Sequence, residues 1–362
     1  MNLRNVARRI RRNLAGSFAA GGAGAYTRRL LAETRFFSRN QKAQELPAIY
    51  DYWSNTYVRP QLEPFGFAHP EAMFLQYFEA AYHASTAAQR RFLSVGTGNC
   101  ETEIRLARNL VLHGCREFVI DCLELNARLL ASATEQAQAQ GVAAHIRTVQ
   151  CDFNKWQPTS TYDAVLANNS LHHVLNLEGL LGGIKSSLAP TGSFVTSDMI
   201  GRNGHMRWPE ALAIVEEFWP ELPKQYTYNH LLRRHEARYD NWDCSVGGFE
   251  GIRAQDILPL LIENFEFDLF VAFANVIDVF IDRPFGHNFQ VGSAWDIDFI
   301  DRVAARDSDE ILRGAIKPCH ILAAMCNGRP AQKRMLPGLT PEFCVRSPDH
   351  PPVAHRERRG YG

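Results

Sequence analysis

Through the middle of the chain, short apolar runs alternate with amphipathic stretches. The apolar run 92–95 ends in Gly96-Thr97-Gly98, and Ile104, Leu106, Ala107 and Leu110 then recur at helical spacing. Residues 118–125 predict a second strand, and 127–140 a helix stopped by Gly141. Three more strands are predicted over 145–151, 162–167 and 193–199, with a helix over 178–188 ended by Pro190 and Gly192. Late strands are predicted over 265–274 and 320–326. This alternation predicts an α/β fold: a parallel sheet with right-handed crossovers and helices on its faces.

The remaining stretches set the domain plan. Residues 47–82 are rich in aromatics (Tyr50, Tyr52, Trp53, Phe74, Phe78 among them), with helical patches flanking a loop that carries Pro60, Pro64 and Pro70. Most of these rings are expected in the core, and a subset in a lid. Two insertions, about 200–250 and 275–318, are too long to be simple connections and are expected to shape a substrate site. One domain over 46–327 results. Before it lies a basic arm, 1–45, and after it a proline- and charge-rich segment, 328–362, expected to be disordered.

Composition adds limits. The chain has 362 residues, 46% hydrophobic, and its 39 Lys+Arg balance 39 Asp+Glu. It is therefore not a general polyanion binder. The first forty residues break that balance: nine arginines stand there against the single acid Glu33. A flexible arm in weak contact with anionic surfaces fits this pattern. Eight scattered cysteines without a Cys-x-x-Cys pair read as reduced thiols, and a cytoplasmic location is expected. No candidate ligands show His-x-x-x-His spacing, so no metal is expected.

In open parallel sheets, ligands bind where the strands end. After the first strand comes the Gly96/Gly98 turn. Its glycines admit positive φ and let a ligand near the main chain, and the next helix aims its free N–H groups there. Glu124 ends the second strand and is suited to the two hydroxyls of a ribose. Asp152 and Phe153 end the third, a carboxylate and an apolar face suited to adenine. Asn168-Asn169-Ser170-Leu171-His172-His173 follows the fourth, and Asp198 ends the fifth.

The Gly-x-Gly turn, Glu124, Asp152 and the run from Tyr162 to His173 together resemble the class I S-adenosylmethionine-dependent methyltransferases of small-molecule type. The resemblance spans roughly 47–326. It implies a Rossmann-like, mostly parallel seven-stranded sheet with N-terminal helices and insertions after strands 5 and 6. It also implies S-adenosylmethionine as cofactor, held by Gly96 and Gly98, with Glu124 on the ribose, Asp152 and Phe153 on the adenine, and Asn168 on the methionine amine. The implied reaction is methyl transfer to a small molecule. Ser94 stands where such chains often carry an acid, and Cys100 where they carry a third glycine, so Glu101, Glu103 or a backbone carbonyl is expected to meet the cofactor ammonium instead.

An acceptor that loses a proton needs a base. His173, His205 and His287 are the candidates. If the 172–173 segment is helical, adjacent histidines diverge by roughly 100° and only one faces the site. Asp198, Asn203 and Arg283, in the segments after the fifth strand and in the second insertion, are candidate acceptor contacts. A nicotinamide-dependent oxidoreductase would share the turn and Glu124 but ordinarily shows a third glycine. A non-catalytic cofactor-binding or scaffold protein is the other alternative. A nucleic-acid substrate is disfavoured, because no Asp/Asn-Pro-Pro-Tyr/Phe run follows the fourth strand.

Overall fold

The apolar runs become strands because both faces of the sheet are covered. Phe92, Leu93 and Val95 of β1 (Arg90–Val95) are buried, and Phe92 packs 4.9 Å from Phe78 and 5.8 Å from Phe118, centroid to centroid. Removing a ring buried this way costs roughly 3–5 kcal/mol. The computed structural model describes Tyr26, Arg29 and residues 45–330 and 332–348. Its further strands are β2 (Phe118–Glu124), β3 (Ile146–Gln150), β4 (Tyr162–Asn168) and β5 (Leu188–Met199), then a small ribbon of β6 (Tyr228–Asn229) and β7 (Arg234–His235). β8 (Glu266–Phe273), β9 (His320–Cys326) and β10 (Arg334–Met335) complete the set.

The main sheet has the order β10-β8-β9-β5-β4-β1-β2-β3. β1 to β5 pair in parallel, and β9 runs antiparallel to both β5 and β8. The α/β, mostly parallel expectation holds. Eight strands replace the expected seven, because Arg334 and Met335 add to the edge of β8. These two residues lie in the segment expected to be disordered. Composition misread that segment: Leu339, Cys344 and Val345 bury apolar side chains, and Arg346 pairs with Glu210 at 2.7 Å and lies 4.1 Å over Trp208. Residues 349–362 lie outside the described residues. So does the arm, apart from Tyr26, Arg29 and Glu45.

Helices begin where the sequence caps them. Asn126 Oδ1 accepts the Arg128 N–H at the start of Ala127–Ala139, and Asn176 Oδ1 accepts the Gly179 N–H at the start of Leu177–Ser187. The proline stretch after Tyr57 was expected as a loop, but the chain stays helical from Ala48–Trp53 to Glu63–Phe65. A π-turn over Ser54–Val58 precedes Pro60, a widened turn that suits a residue lacking an N–H. Trp53, Phe74 and Phe78 are core residues, as most of that aromatic stretch was expected to be. The insertions carry the helices Pro209–Phe218 and Ala294–Leu312. Among the described residues, no helix is long and apolar enough to cross a membrane.

Candidate functional site

The ends of β1, β2, β4 and β5 meet at one edge of the sheet, and the first feature there is the glycine turn. Gly96 and Gly98 have φ of 70° and 55°. They differ in what surrounds them. A Cβ on Gly96 would lie 2.6 Å from the Ser170 Cβ, so this glycine lets the β4 segment approach. A Cβ on Gly98 would meet nothing within 4 Å. The Gly98 N–H donates to Glu124 Oε2 at 3.0 Å, and the Asn126 N–H to Oε1 at 2.8 Å. Burial raises the Glu124 carboxyl, and His173, beyond the end of β4, is among the groups that act to lower it. Cys100 takes the left-handed conformation (φ 59°) usually left to glycine, fully buried at the start of the helix Glu101–Leu112.

Ser94 has a partner that the sequence did not make obvious. Its hydroxyl donates to Glu103 Oε1 at 2.7 Å, and Glu103 is only 3% exposed, beneath the turn. Burial pushes the Glu103 carboxyl up to about 7 despite that bond. Glu101 is exposed and accepts from Asn99 Nδ2 at 2.6 Å.

Asp152 and Phe153 are half-buried at the end of β3, Phe153 packed against the core. Both Asp152 oxygens accept from the Tyr26 hydroxyl, at 2.7 and 2.8 Å, and Lys155 Nζ lies at 3.2 Å. Asn168 is half-buried at the end of β4, and Asn169 beside it has φ 49°. The Ser170 hydroxyl is buried beside Gly96 with no hydrogen-bond partner among the described residues. A zwitterionic ligand fits these observations: glycine backbone bordering open space, an unpartnered buried hydroxyl next to it, and carboxylates on successive strand ends.

A second group adjoins the first. Leu171–His173 is a single 3-10 turn, and the His172 and His173 rings lie 4.3 Å apart, both facing Glu250. The expected divergence of the two is therefore not what the fold produces, since Glu250 lies within 3.6 Å of both rings. Asp198 directs them. It is 1% exposed, and its Oδ2 accepts the Ser170 and Leu171 N–H groups at 2.9 and 2.8 Å. Its Oδ1 meets His172 Nδ1 at 2.7 Å. The expected acceptor contact is thus an inward-facing support.

His205, also at positive φ (55°), places Nε2 2.7 Å from Glu250 Oε1. Glu250 Oε1 lies 3.5 Å from His172 Nε2, and Oε2 lies 3.6 Å from His173 Nε2. The loop bearing Glu250 is fastened by backbone bonds from Gly204 to Gly251 (2.8 Å) and from Ile252 to His172 (3.1 Å). Burial by itself would raise the Glu250 carboxyl, but the three imidazoles hold it well below the usual range. Burial would lower His172, yet Asp198 and Glu250 push it up to about 10. For His205, burial wins over Glu250 and the value falls below the ordinary one.

The other expected residues sit elsewhere. His287 is exposed, its ring 5.4 Å from His230. Asn203 exchanges bonds with Gln255, and Arg283 pairs with Asp282 at 3.2 Å. Sequence reasoning named His173 and not His172, yet both reach Glu250, which it did not name. The glycine-rich run Gly247-Gly248-Phe249-Glu250-Gly251 was the available signal. It also missed a buried network in which Asp278 meets Arg207 (3.3 Å) and His320 (2.8 Å).

A sequence family described as "Methyltransferase domain" matches residues 93–194. No curated protein sequence matches the chain. Among solved structures, the chain is similar to the O-methyltransferase from a trans-AT PKS multienzyme of Brevibacillus brevis, at 15% identity over 82% of this chain and 81% of that one (TM-score 0.40). It is also similar to the geranyl diphosphate C-methyltransferase of Streptomyces coelicolor A3(2), at 12% identity over 71% and 81% (TM-score 0.40). A third is StiE O-MT, at 12% identity over 76% and 83% (TM-score 0.40).

Proposed function

We propose that this chain, which carries a methyltransferase domain over residues 93–194, moves a methyl group from S-adenosylmethionine to a small-molecule acceptor. The observation that carries the reading is the continuity of the two groups at the sheet edge. Gly96 packs against Ser170, and Ser170 leads within one turn to His172 and His173.

The cofactor supplies a sulfonium methyl for in-line displacement. Gly96 and Gly98 border its amino-acid part, with Asn168 at the amine. Glu124 accepts from the ribose, and Asp152 with Phe153 meets the adenine. The protein's own contribution is to align the acceptor, exclude water and take its proton. His205 is the base. Its depressed value keeps it neutral near pH 7, and the bond from Nε2 to Glu250 leaves Nδ1 as the basic nitrogen. His173 faces the same carboxylate and positions the acceptor. The insertions 200–250 and 275–318 enclose the acceptor, with Asn203 and Arg283 at its outer margin. His287, on the surface of the second insertion, is the weaker candidate for the base.

Calorimetric titration with S-adenosylmethionine, followed by transfer of radiolabelled methyl to a panel of hydroxylated metabolites, tests this. His205→Ala should bind cofactor as the parent does and lose roughly 10²–10⁴-fold in kcat, partly restored by added imidazole. A parent protein that binds NADH and not S-adenosylmethionine would overturn the reading.

A further inference from the structure

The cluster around Glu250 gathers three groups of the kind that ligate metals. One ligand atom each from His172, His173 and Glu250 can be chosen so that all three lie within 4.8 Å of one another. The Glu250 oxygens are 3.5 Å from His172 Nε2 and 3.6 Å from His173 Nε2. Two ligands bound at ordinary Zn–N and Zn–O lengths in a tetrahedron lie about 3.4 Å apart. The His172 edge, to Oε1, is therefore already close to its metal-bound length, and the His173 contact of similar length is to the other oxygen, Oε2.

The surroundings match as well. Metal-bound imidazoles usually hand their second nitrogen to a carboxylate, which fixes the ring and its tautomer. His172 does this: Nδ1 meets Asp198 at 2.7 Å, leaving Nε2 toward Glu250. Asp198 is itself held by backbone N–H groups from Ser170, Leu171 and Met199. Glu250 has its own support, since His205 bonds Oε1 at 2.7 Å. That edge is a hydrogen bond, so His205 belongs outside the coordination sphere.

We propose that His172, His173 and Glu250 bind a divalent first-row transition metal of the Zn2+ class, with Asp198 and His205 as supporting partners. Two imidazoles and one carboxylate leave a position open, which is the pattern of catalytic centres. The ligand set, without thiolates, suits a borderline cation. The missing His-x-x-x-His spacing does not count against it, because the ligands come from two separate loops instead of one helix. Resting on the methyltransferase reading, the open position would take an oxygen of the acceptor. The metal then draws electron density from that oxygen and eases loss of its proton to His205. The acceptor class this implies is a hydroxyl compound, methylated on oxygen.

The test uses tag-free, full-length protein stripped with a chelator and titrated with Co2+ and then Zn2+. The expected result is a saturable set of visible Co2+ ligand-field bands that Zn2+ abolishes. Glu250→Gln, at a side chain 39% exposed and so tolerant of exchange, should weaken Co2+ binding at least tenfold. Asp198→Asn should weaken it roughly 10–100-fold. His113→Ala, at the end of the helix Glu101–Leu112, should leave it unchanged. No saturable bands, or equal Co2+ affinity in the parent and Glu250→Gln, would overturn the proposal. S-adenosylmethionine affinity is measured on the same metal-free protein. Cofactor binding without Co2+ binding sinks the metal alone, and Co2+ binding without cofactor binding sinks the methyltransferase reading and leaves the metal.

Discussion

The Tyr26 hydroxyl donates to both oxygens of Asp152, 2.7 and 2.8 Å away, although the two residues lie far apart in sequence. Arg29 donates to the Ser245 and Gly248 carbonyls at 3.0 and 2.6 Å, beside the loop of Glu250. Tyr26 and Arg29 thus reach both the end of β3 and the loop that bears Glu250. If they strap the cofactor in, Tyr26→Phe should speed its release by roughly tenfold, the worth of one hydrogen bond to a charged group. Stopped-flow displacement of S-adenosylmethionine checks this. An unchanged release rate would show that the contact does not retain the cofactor.

Glu124→Ala should weaken S-adenosylmethionine binding by about tenfold or more, since the Gly98 N–H and, on the proposed reading, the ribose lose an acceptor. Titration calorimetry reads this directly. Affinity equal to the parent's would mean that the ribose lies elsewhere.

The two turn glycines should respond differently to alanine. Gly98→Ala meets nothing within 4 Å, so its cost is the strain of positive φ, about 1–2 kcal/mol. Gly96→Ala carries the same strain and also pushes a Cβ to 2.6 Å from Ser170, displacing the segment that bears His172 and His173. Urea unfolding should rank Gly96→Ala below Gly98→Ala, and the reverse order would contradict the packing described.

Glu103 makes stability depend on pH in a predictable direction. Its folded value is raised to about 7, so between the unfolded value and 7 the folded chain binds more protons than the unfolded one. Stability contributed by this group is then lost as pH rises through that window, by on the order of 3 kcal/mol in all. Glu103→Gln stays neutral. Its melting temperature should match the parent's near pH 4–5 and exceed it increasingly toward about pH 8. A gap that does not change with pH would refute the assignment.

Much of the scaffold was legible in the chain itself. Alternating apolar runs and helical periodicities specify the parallel core from β1 to β5, because burial on both faces of a sheet demands continuous apolar strands. The same reading located the glycine turn, Glu124 and Asp152, since strand ends in such a sheet share one edge by topology alone. The limits appeared where local pattern and tertiary context part. The proline-rich segment of β10 looked unstructured, yet an open edge of β8 and the Glu210 carboxylate give it partners.

The histidine cluster marks the boundary most clearly. Sequence could name His173, from the run that ends in it, and His205, but could not bring the two together. What singles them out is Glu250, brought from a distant insertion, and Asp198, turned inward by the N–H groups of Ser170 and Leu171. Side chains drawn from three loops have no common period or spacing, so even the glycine-rich run around Glu250 does not tie it to the histidines. Only the folded geometry puts their charges within a few ångströms, where burial and mutual attraction set which of them carries a proton.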